Sequence, residues 1–380
     1  MGEQRLTGGP EPVDLVVVGG GPAGTAAAVT AAVAVVSVVL VESAAVTRDR
    51  PGETLHPGAE GVLRQLGVDR EVAASGWLRH PGHWVEWGGP ASFAAYGGSP
   101  GVPWTGYQAP RRELAELLLA RAARVGVVVQ RDCRALRPTM TPAGRVDGVH
   151  TSRGRLGAGW VVDASGGRHW AARALGCPVQ RVSRPLVAGW GYLRGSWPER
   201  AVPHLRAGRT GWTWTAPVRP DLHAWVRLDV GGGGPLPTPP PHLDHLRPVT
   251  GVHAATVTWR CAAVPAVPGL LVAGDAAWVL DPCSGSGVLR ALVSGAVAGR
   301  AVADAARGLL PAQAAVAGHR RWLADWFRAD VARLDERYGL FPGWALVPDG
   351  SSGAPGPGGR APGPAVRPRR AAGPDGARPA

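Results

Sequence analysis

The residues most able to do chemistry sit in short, glycine-punctuated runs. The first is VVVGGGPAG, Val16 to Gly24, which sets Gly19, Gly21 and Gly24 in a G-x-G-x-x-G spacing. It ends a Val-rich run beginning at Val13 and opens an Ala-rich one. That is the setting of a strand, a tight turn and a helix. Gly19 permits the turn, Gly21 lets the backbone approach a pyrophosphate, and Gly24 lets helix and strand pack closely. Pro22 and Ala23 fill the first helical turn, whose free N–H groups and partial positive charge suit a phosphate. Glu42 ends the next Val-rich run, eighteen residues after Gly24, with Ser43 beside it. A carboxylate there accepts hydrogen bonds from ribose hydroxyls, so strand, turn, helix and acid together predict a dinucleotide site.

Further runs carry candidates. LVAGDAAWVLDPCSGSG, residues 271–287, holds Gly274, Asp275, Pro282, Gly285 and Gly287, with Val288 next. GYQAPRRELAELLLARA, 106–122, contains Arg111, and VVDASGGRHWAAR, 161–173, ends on Arg173. RPGETLHPGAEGVLRQLGV, 50–68, contains Glu53 and His56, candidates for orienting a loop, acting on substrate or serving as a general base. GWTWTAP, 211–217, places Trp212 and Trp214 two apart. In a strand they share one face, read either as a packed aromatic surface or as a wall between cofactor and substrate. Cys283 reads as a small buried residue or a reactive thiol.

These runs need elements to hold them. The pattern predicts strands at Val13–Val18, Val38–Val41, Trp160–Ala164 and Leu270–Ala273, and helices from Pro22, over Arg111–Val125 (Leu114, Leu117, Leu118 and Ala122 inward), over Gly287–Arg307 and over Ala312–Arg337. Residues 82–108 and 185–260 hold most of the tryptophans in alternating patterns and read as antiparallel strands, with GGGGPLPTPPP at 231–241 as a loop. Leu15 to Val41 carries no charge and has the length of a membrane span, but its glycines and proline divide it into strand, turn, helix and strand. The tail from about Pro348 is Gly, Pro, Ala and Arg, a composition that cannot bury apolar area.

The chain of 380 residues is long enough for a substantial core, and its net charge is +13. It contains no lysine, so all 41 basic residues are arginine. No arginine stripe interleaves with aromatics, and nucleic acid is not an expected partner. Cys133, Cys177, Cys261 and Cys283 are widely spaced without C-x-x-C, which predicts no metal site and a reducing, cytoplasmic setting.

The whole run of segments resembles the FAD-dependent oxidoreductases with the group A flavin monooxygenase fold, and within them the tryptophan-halogenase-like branch. The resemblance covers most of residues 13–340 and is similar in particular to flavoproteins that mature quinone-cofactor enzymes by hydroxylating a protein tryptophan. It implies an α/β fold: a Rossmann-like FAD-binding domain with an inserted antiparallel β-sheet substrate domain and C-terminal helices. On it, 1–81, 109–184 and 261–310 form the FAD-binding domain, 82–108 and 185–260 the substrate domain, 311–345 a helical segment and 346–380 a disordered tail. Arg111 would contact FAD, Asp275 would bind its ribitol, and the loop of Pro282, Gly285, Gly287 and Val288 would face the flavin with backbone N–H groups. The sequence departs from the family pattern at Val33 and Val35 before the second strand, at His56, at Ala216 and at Trp278.

The resemblance also implies the chemistry. GWTWTAP looks like the W-x-W-x-I-P signature of halogenases of this branch, which route hypohalous acid to a lysine; a chain without lysine offers no such amine, and arginine is a poor nucleophile. Hydroxylation of an aromatic ring, such as a tryptophan in a peptide or protein, through a flavin C4a-hydroperoxide then leads the expectations, with O2 as co-substrate. Reduction of an isoprenoid alkene, as in geranylgeranyl reductases, and a degenerate scaffold are the alternatives. No second nucleotide-binding unit is evident, so electrons would come from visiting NAD(P)H or a partner flavin reductase.

Overall fold

The computed structural model describes residues 11–47, 49–99, 101–197, 201–231 and 238–347. Strand β1 (Val13–Val18) runs parallel to β2 (Val38–Val41) on one side and to the strand Gly154–Asp163 on the other. Val128–Gln130 extends the parallel sheet beyond β2, and Leu270–Val272 extends it beyond Asp163. The first half of Gly154–Asp163 turns instead to an antiparallel meander with Val146–Thr151 and Ala135–Met140. That double use explains why the strand is longer than the apolar run predicts.

The helices are α1 (Pro22–Val33), α2 (Ala59–Gln65), α3 (Asp69–Ala73), α4 (Arg111–Arg124), α5 (Trp170–Ala174), α6 (Gly287–Ala306) and α7 (Ala312–Tyr338). Leu15, Val17, Val38 and Leu40 face a core shared with α1, α4 and α6. Val16, Val18, Val39 and Val41 face a second core that includes Trp212, Trp259 and α7 residues Leu323, Phe327 and Leu334. Parallel strands covered on both faces read as continuous apolar runs, as these do. On α4, Leu114, Leu118 and Ala122 are buried as expected, while Leu117 is half-buried.

The second large sheet orders its strands Arg247–Pro248, Val187–Arg194, Leu222–Asp229, Gly211–Arg219, His204–Ala207, Gly82–Glu86 and Ser92–Ala95, with His253–Thr256 also on Val187–Arg194. Its pairings are antiparallel except one: His204–Arg206 runs parallel to Trp84–Glu86, where two chain segments far apart in sequence meet without a hairpin. Gly106–Gln108 stays outside this sheet and pairs with Thr54–Leu55 and Arg79–His80. The Gly/Pro-rich segment is outside the described residues at 232–237, and so is the tail from Pro348.

Val35 sits in the turn between α1 and β2 with φ 63° and 92% of its surface exposed. This departure from the family pattern places a β-branched side chain in the left-handed region, which costs about 1–2 kcal/mol. Val35→Gly is expected to stabilise the protein by about 1 kcal/mol net of glycine's larger unfolded-state entropy. A thermal melt checks this, and an unchanged or lower Tm refutes it.

Candidate active site

The β1–α1 turn has the geometry that its glycines require. Gly19 has φ 108°, and a Cβ there would lie 2.4 Å from Ala164 O. A Cβ on Gly24 would lie 1.9 Å from Gly19 O, whereas one on Gly21 would meet nothing within 4 Å. Gly21 therefore faces open space at the N-terminus of α1, where Pro22 and Ala23 begin the helix and amide groups lack helical acceptors. Glu42 is held at the same edge: its Oε2 accepts from Gly20 N–H at 2.7 Å and its Oε1 from Ala44 N–H at 2.8 Å. Ser43 stands exposed beside it, its hydroxyl 3.2 Å from Oε1.

The second constellation folds onto the first. Gly274 packs against Ala23, with its Cβ position 2.8 Å from Ala23 Cβ, and its N–H donates to Ser294 Oγ of α6 at 2.9 Å. Asp275 is exposed at the turn, with Arg111, Arg260 and His169 as its charged surroundings. The loop Pro282–Ser284 leads through Gly285, in the left-handed conformation and open on its Cβ side, to Gly287 at the start of α6, with Val288 buried behind. Arg290 anchors this loop through Ser284 Oγ (3.1 Å) and Ser286 Oγ (3.2 Å), and makes a buried ion pair with Asp330 of α7 at 3.2 Å. Burial pushes the Arg111 pKa down, opposed by Glu53 and Asp275, and its Nε is buried with no partner among the described residues. An open helix N-terminus, an unpaired guanidinium N–H and a loop with open glycines fit a phosphate-bearing flavin nucleotide.

Glu53 is buried. Its carboxylate accepts from the Tyr192 hydroxyl and, at 2.9 Å, from Gly52 N–H; burial raises its pKa, against those hydrogen bonds and the charge of Arg111. Tyr192 belongs to Val187–Arg194, so Glu53 ties the GETLHPG loop to the second sheet. His56 is exposed, its Nδ1 accepting from Gly58 N–H at 3.0 Å, and partial burial lowers its pKa.

The tryptophan pair divides in two. Trp212 is 1% exposed and its Nε1 donates to Tyr338 Oη at 2.6 Å. Tyr338 donates in turn to Asp281 Oδ2 at 2.6 Å, which also accepts from Trp259 Nε1 at 2.7 Å. Asp281 Oδ1 accepts from Cys283 N–H at 2.8 Å. Trp212 thus braces the flavin-loop segment from within the core and lines no open cleft. Trp214 is half-buried, 5.6 Å from the His83 ring. Cys283 is buried, and burial with Asp281 beside it pushes its thiol pKa far up, which removes the reactive-thiol reading. Asp163 of the DASGG run is buried and caps backbone N–H groups of Ser165 and Ala171, while Arg173 is exposed. Trp278 turns into the core against Trp326, at 5.7 Å.

Sequence reasoning missed Tyr192, Tyr338, Asp281 and the rings of His80, His83 and Tyr96. Their only sequence signals were isolated polar or aromatic residues inside apolar runs. Burial lowers the His83 pKa to about 4, helped by His80, Arg337 and His56, and raises that of Tyr96 to about 12.

Residues 12–211 match the family described as FAD binding domain. The chain belongs to that family. It is an FAD-dependent oxidoreductase, as the matched family and its relatives agree. The menaquinone reductase of Mycolicibacterium smegmatis is 29% identical over 327 residues, 75% of each chain. Among solved structures, the flavin-dependent halogenase CmlS superimposes with TM-score 0.76 at 22% identity over 87% of this chain and 65% of its own. PqsL of Pseudomonas aeruginosa, described as a probable FAD-dependent monooxygenase, gives 0.73 at 18% identity over 87% and 97%. At those identities the structural matches show a shared fold, the Rossmann-like domain with its inserted sheet. Among the described residues no helix is long and apolar enough to cross a membrane.

Two outcomes separate cofactor contact from packing. Gly24→Ala is expected to destabilise the apoprotein by about 2 kcal/mol or more, because its methyl meets Gly19 O. Gly21→Ala is expected to leave apoprotein stability within about 0.5 kcal/mol while weakening FAD binding about tenfold or more. Denaturation of apoprotein and FAD titration read the two; equal effects on both quantities would refute the assignment. Tyr338→Phe orphans Trp212 Nε1 and takes one donor from Asp281, at an expected cost of about 2–3 kcal/mol; a Cm within error of the parent's would show that the relay carries no stability.

Proposed function

We propose that the protein is an FAD-dependent monooxygenase that hydroxylates an aromatic ring. The observation that carries this reading is the ring-lined surface formed by Trp214, His83, Tyr96 and His56 beside the start of α6. Bound FAD supplies electron storage and oxygen activation, which the protein side chains cannot. Gly21, Pro22, Ala23 and Gly24 present the start of α1 to the pyrophosphate, and Glu42 takes the ribose. Arg111 and Asp275 hold the ribityl region. Pro282, Gly285, Gly287 and Val288 set the α6 N-terminus, whose partial positive charge stabilises negative charge on the ring system. Glu53, braced by Tyr192, fixes the approach of the second sheet, which excludes water and presents the substrate. The substrate class is an aromatic small molecule or a tryptophan-bearing peptide or protein, O2 is the co-substrate, and electrons arrive from NAD(P)H or a partner reductase. A cytoplasmic setting suits four cysteines not joined by disulfides.

A second reading has its own support. Similarity to a menaquinone reductase over three quarters of both chains favours reduction of an isoprenoid double bond, which would use the same FAD site without oxygen. Halogenation has support from the fold and from halogenase relatives matched over 55% of this chain, and against it stands the absence of any lysine to carry the halogen.

One experiment ranks them. The FAD-loaded protein is reduced anaerobically and divided between a tryptophan-containing peptide with oxygen and an isoprenoid quinone without it, and products are read by mass. A peptide heavier by one oxygen atom is expected. A quinone that stays heavier by two hydrogens after its ring has been reoxidised, with the peptide unaltered, transfers the assignment to the reductase. Neither product with peptide, free indole or quinone sinks both.

A further inference from the structure

A cluster of rings beside the flavin loop has more hydrogen-bonding groups than hydrogen bonds. Tyr96 follows the strand Ser92–Ala95, and its ring lies 4.8 Å from His56, 5.5 Å from His80 and 5.9 Å from His83. Trp214 stands 5.6 Å from His83 on the neighbouring side. Yet the Tyr96 hydroxyl bonds to no described residue, burial being the one influence on its pKa. His83 Nδ1 and His80 Nε2 are both buried without a hydrogen-bond partner among the described residues. His80 Nδ1 is bonded to Gly82 O at 2.9 Å, but buried polar atoms ordinarily have partners, and the open His83 Nδ1 beside the Tyr96 ring marks a place where a partner is missing.

The cluster adjoins the cofactor loop. A Cβ on Gly58 would touch His56 Nδ1 at 3.1 Å and Leu289 of the first turn of α6 at 3.5 Å. Tyr96 is also the last residue before two glycines with φ 92° and 131°, Gly97 and Gly98, a conformation that L side chains rarely adopt; Gly98 pairs with Pro103. The Tyr96 backbone is tied by its N–H to Pro81 O, and the next residue by Trp104 N–H to Gly97 O, each 2.9 Å, while its side chain makes ring contacts alone.

We propose that Tyr96 is a displaceable plug in the substrate subsite, and that a flat aromatic ring bearing an N–H or O–H, an indole or a phenol, takes its place, donates to His83 Nδ1 and lies beside Trp214. The proposal rests on the aromatic-substrate reading and adds the group that recognises the ring. Its neutral imidazoles suit it to neutral donors: burial, His80, Arg337 and His56 all disfavour a charged His83. One nitrogen of each ring then accepts while the other donates.

The test is calorimetric titration of the FAD-loaded protein with indole against 1-methylindole, and phenol against anisole. Each donor is expected to bind about tenfold tighter than its methylated partner, because a site with an unpaired buried acceptor rejects a ring without a donor. Tyr96→Ala removes the plug and is expected to tighten indole binding about threefold to tenfold. His83→Phe keeps a ring but is expected to abolish the preference for the donor. Hydrogen exchange of the parent protein gives a readout without a variant: indole is expected to speed exchange of the Tyr96 and Trp104 amides. Equal affinities within each pair, a weaker-binding Tyr96→Ala, or slower exchange at those amides would overturn the proposal. Binding is read without turnover, so a protein that shows these preferences but oxygenates nothing would refute the monooxygenase reading alone.

Discussion

The approach of α6 onto α1, backbone against backbone, is the constraint on which the rest of the structure depends. A Cβ at Gly295 would lie 2.0 Å from Ala23 O, and one at Gly299 would lie 2.3 Å from Ala27 O. Two glycines inside a helix each cost about 1 kcal/mol relative to alanine, so the contact they permit has to return at least that. What it returns is position. With the helices this close, Gly274 rests on Ala23, and the turn bearing Asp275 arrives beside the turn bearing Gly21. The same contact explains why α1 is nearly all alanine and small residues: it is buried from Ala23 to Val29 on every side, and no larger side chain would fit.

Upon that frame, buried carboxylates set the details. Asp281, Glu53, Asp163 and Asp330 lie inside; Asp163 caps the backbone just after it, and the other three are held by donors from elements distant in sequence. Asp281 gathers Tyr338 from the end of α7, Trp259 from beside the second sheet and the loop backbone at Cys283. Glu53 reaches Tyr192, and Asp330 pairs with Arg290. A buried carboxylate is tolerated only when its lone pairs are met, so each of these groups enforces one geometry between the parts that supply its donors. The flavin loop is therefore positioned from three directions, by α6 through Arg290, by α7 through Tyr338 and by the second sheet through Trp212.

How much of this the sequence discloses follows from what each feature demands. Gly19 and Gly24 are legible because backbone oxygens 2.4 and 1.9 Å from a would-be Cβ admit no other residue, and such demands recur at fixed spacing. Continuous Val and Leu runs are legible as parallel strands because both faces are covered. Trp212 and Trp214 are half-legible: a period of two puts them on one face, but which one reaches the core depends on α7, more than a hundred residues later. Tyr96 meets His83 through the antiparallel pairing of Gly82–Glu86 with Ser92–Ala95, but Trp214 reaches them because Trp84–Glu86 joins His204–Arg206 in parallel, a pairing with no local sequence signal. Sites assembled across such a join are visible in the fold and silent in the chain.

The arginine-only composition takes on a different meaning once the inside is seen. Arg260 donates to His169 Nε2 at 3.1 Å, Thr258 O at 2.9 Å and Gly167 O at 3.0 Å, spreading one fixed fork over three elements. Arg290 does the same for two serines and an aspartate. A guanidinium can serve as such a clamp because it is planar and stays charged; those properties also make it useless as a neutral amine that takes up and passes on an electrophile. Arg260 and Arg290 are thus committed to architecture. The groups left facing the ring cluster are the imidazoles of His56, His80 and His83, whose pKa values burial lowers, and the faces of Trp214 and Tyr96. A surface of that kind discriminates by shape and by single hydrogen bonds, and it suits a neutral aromatic ring better than a charged substrate.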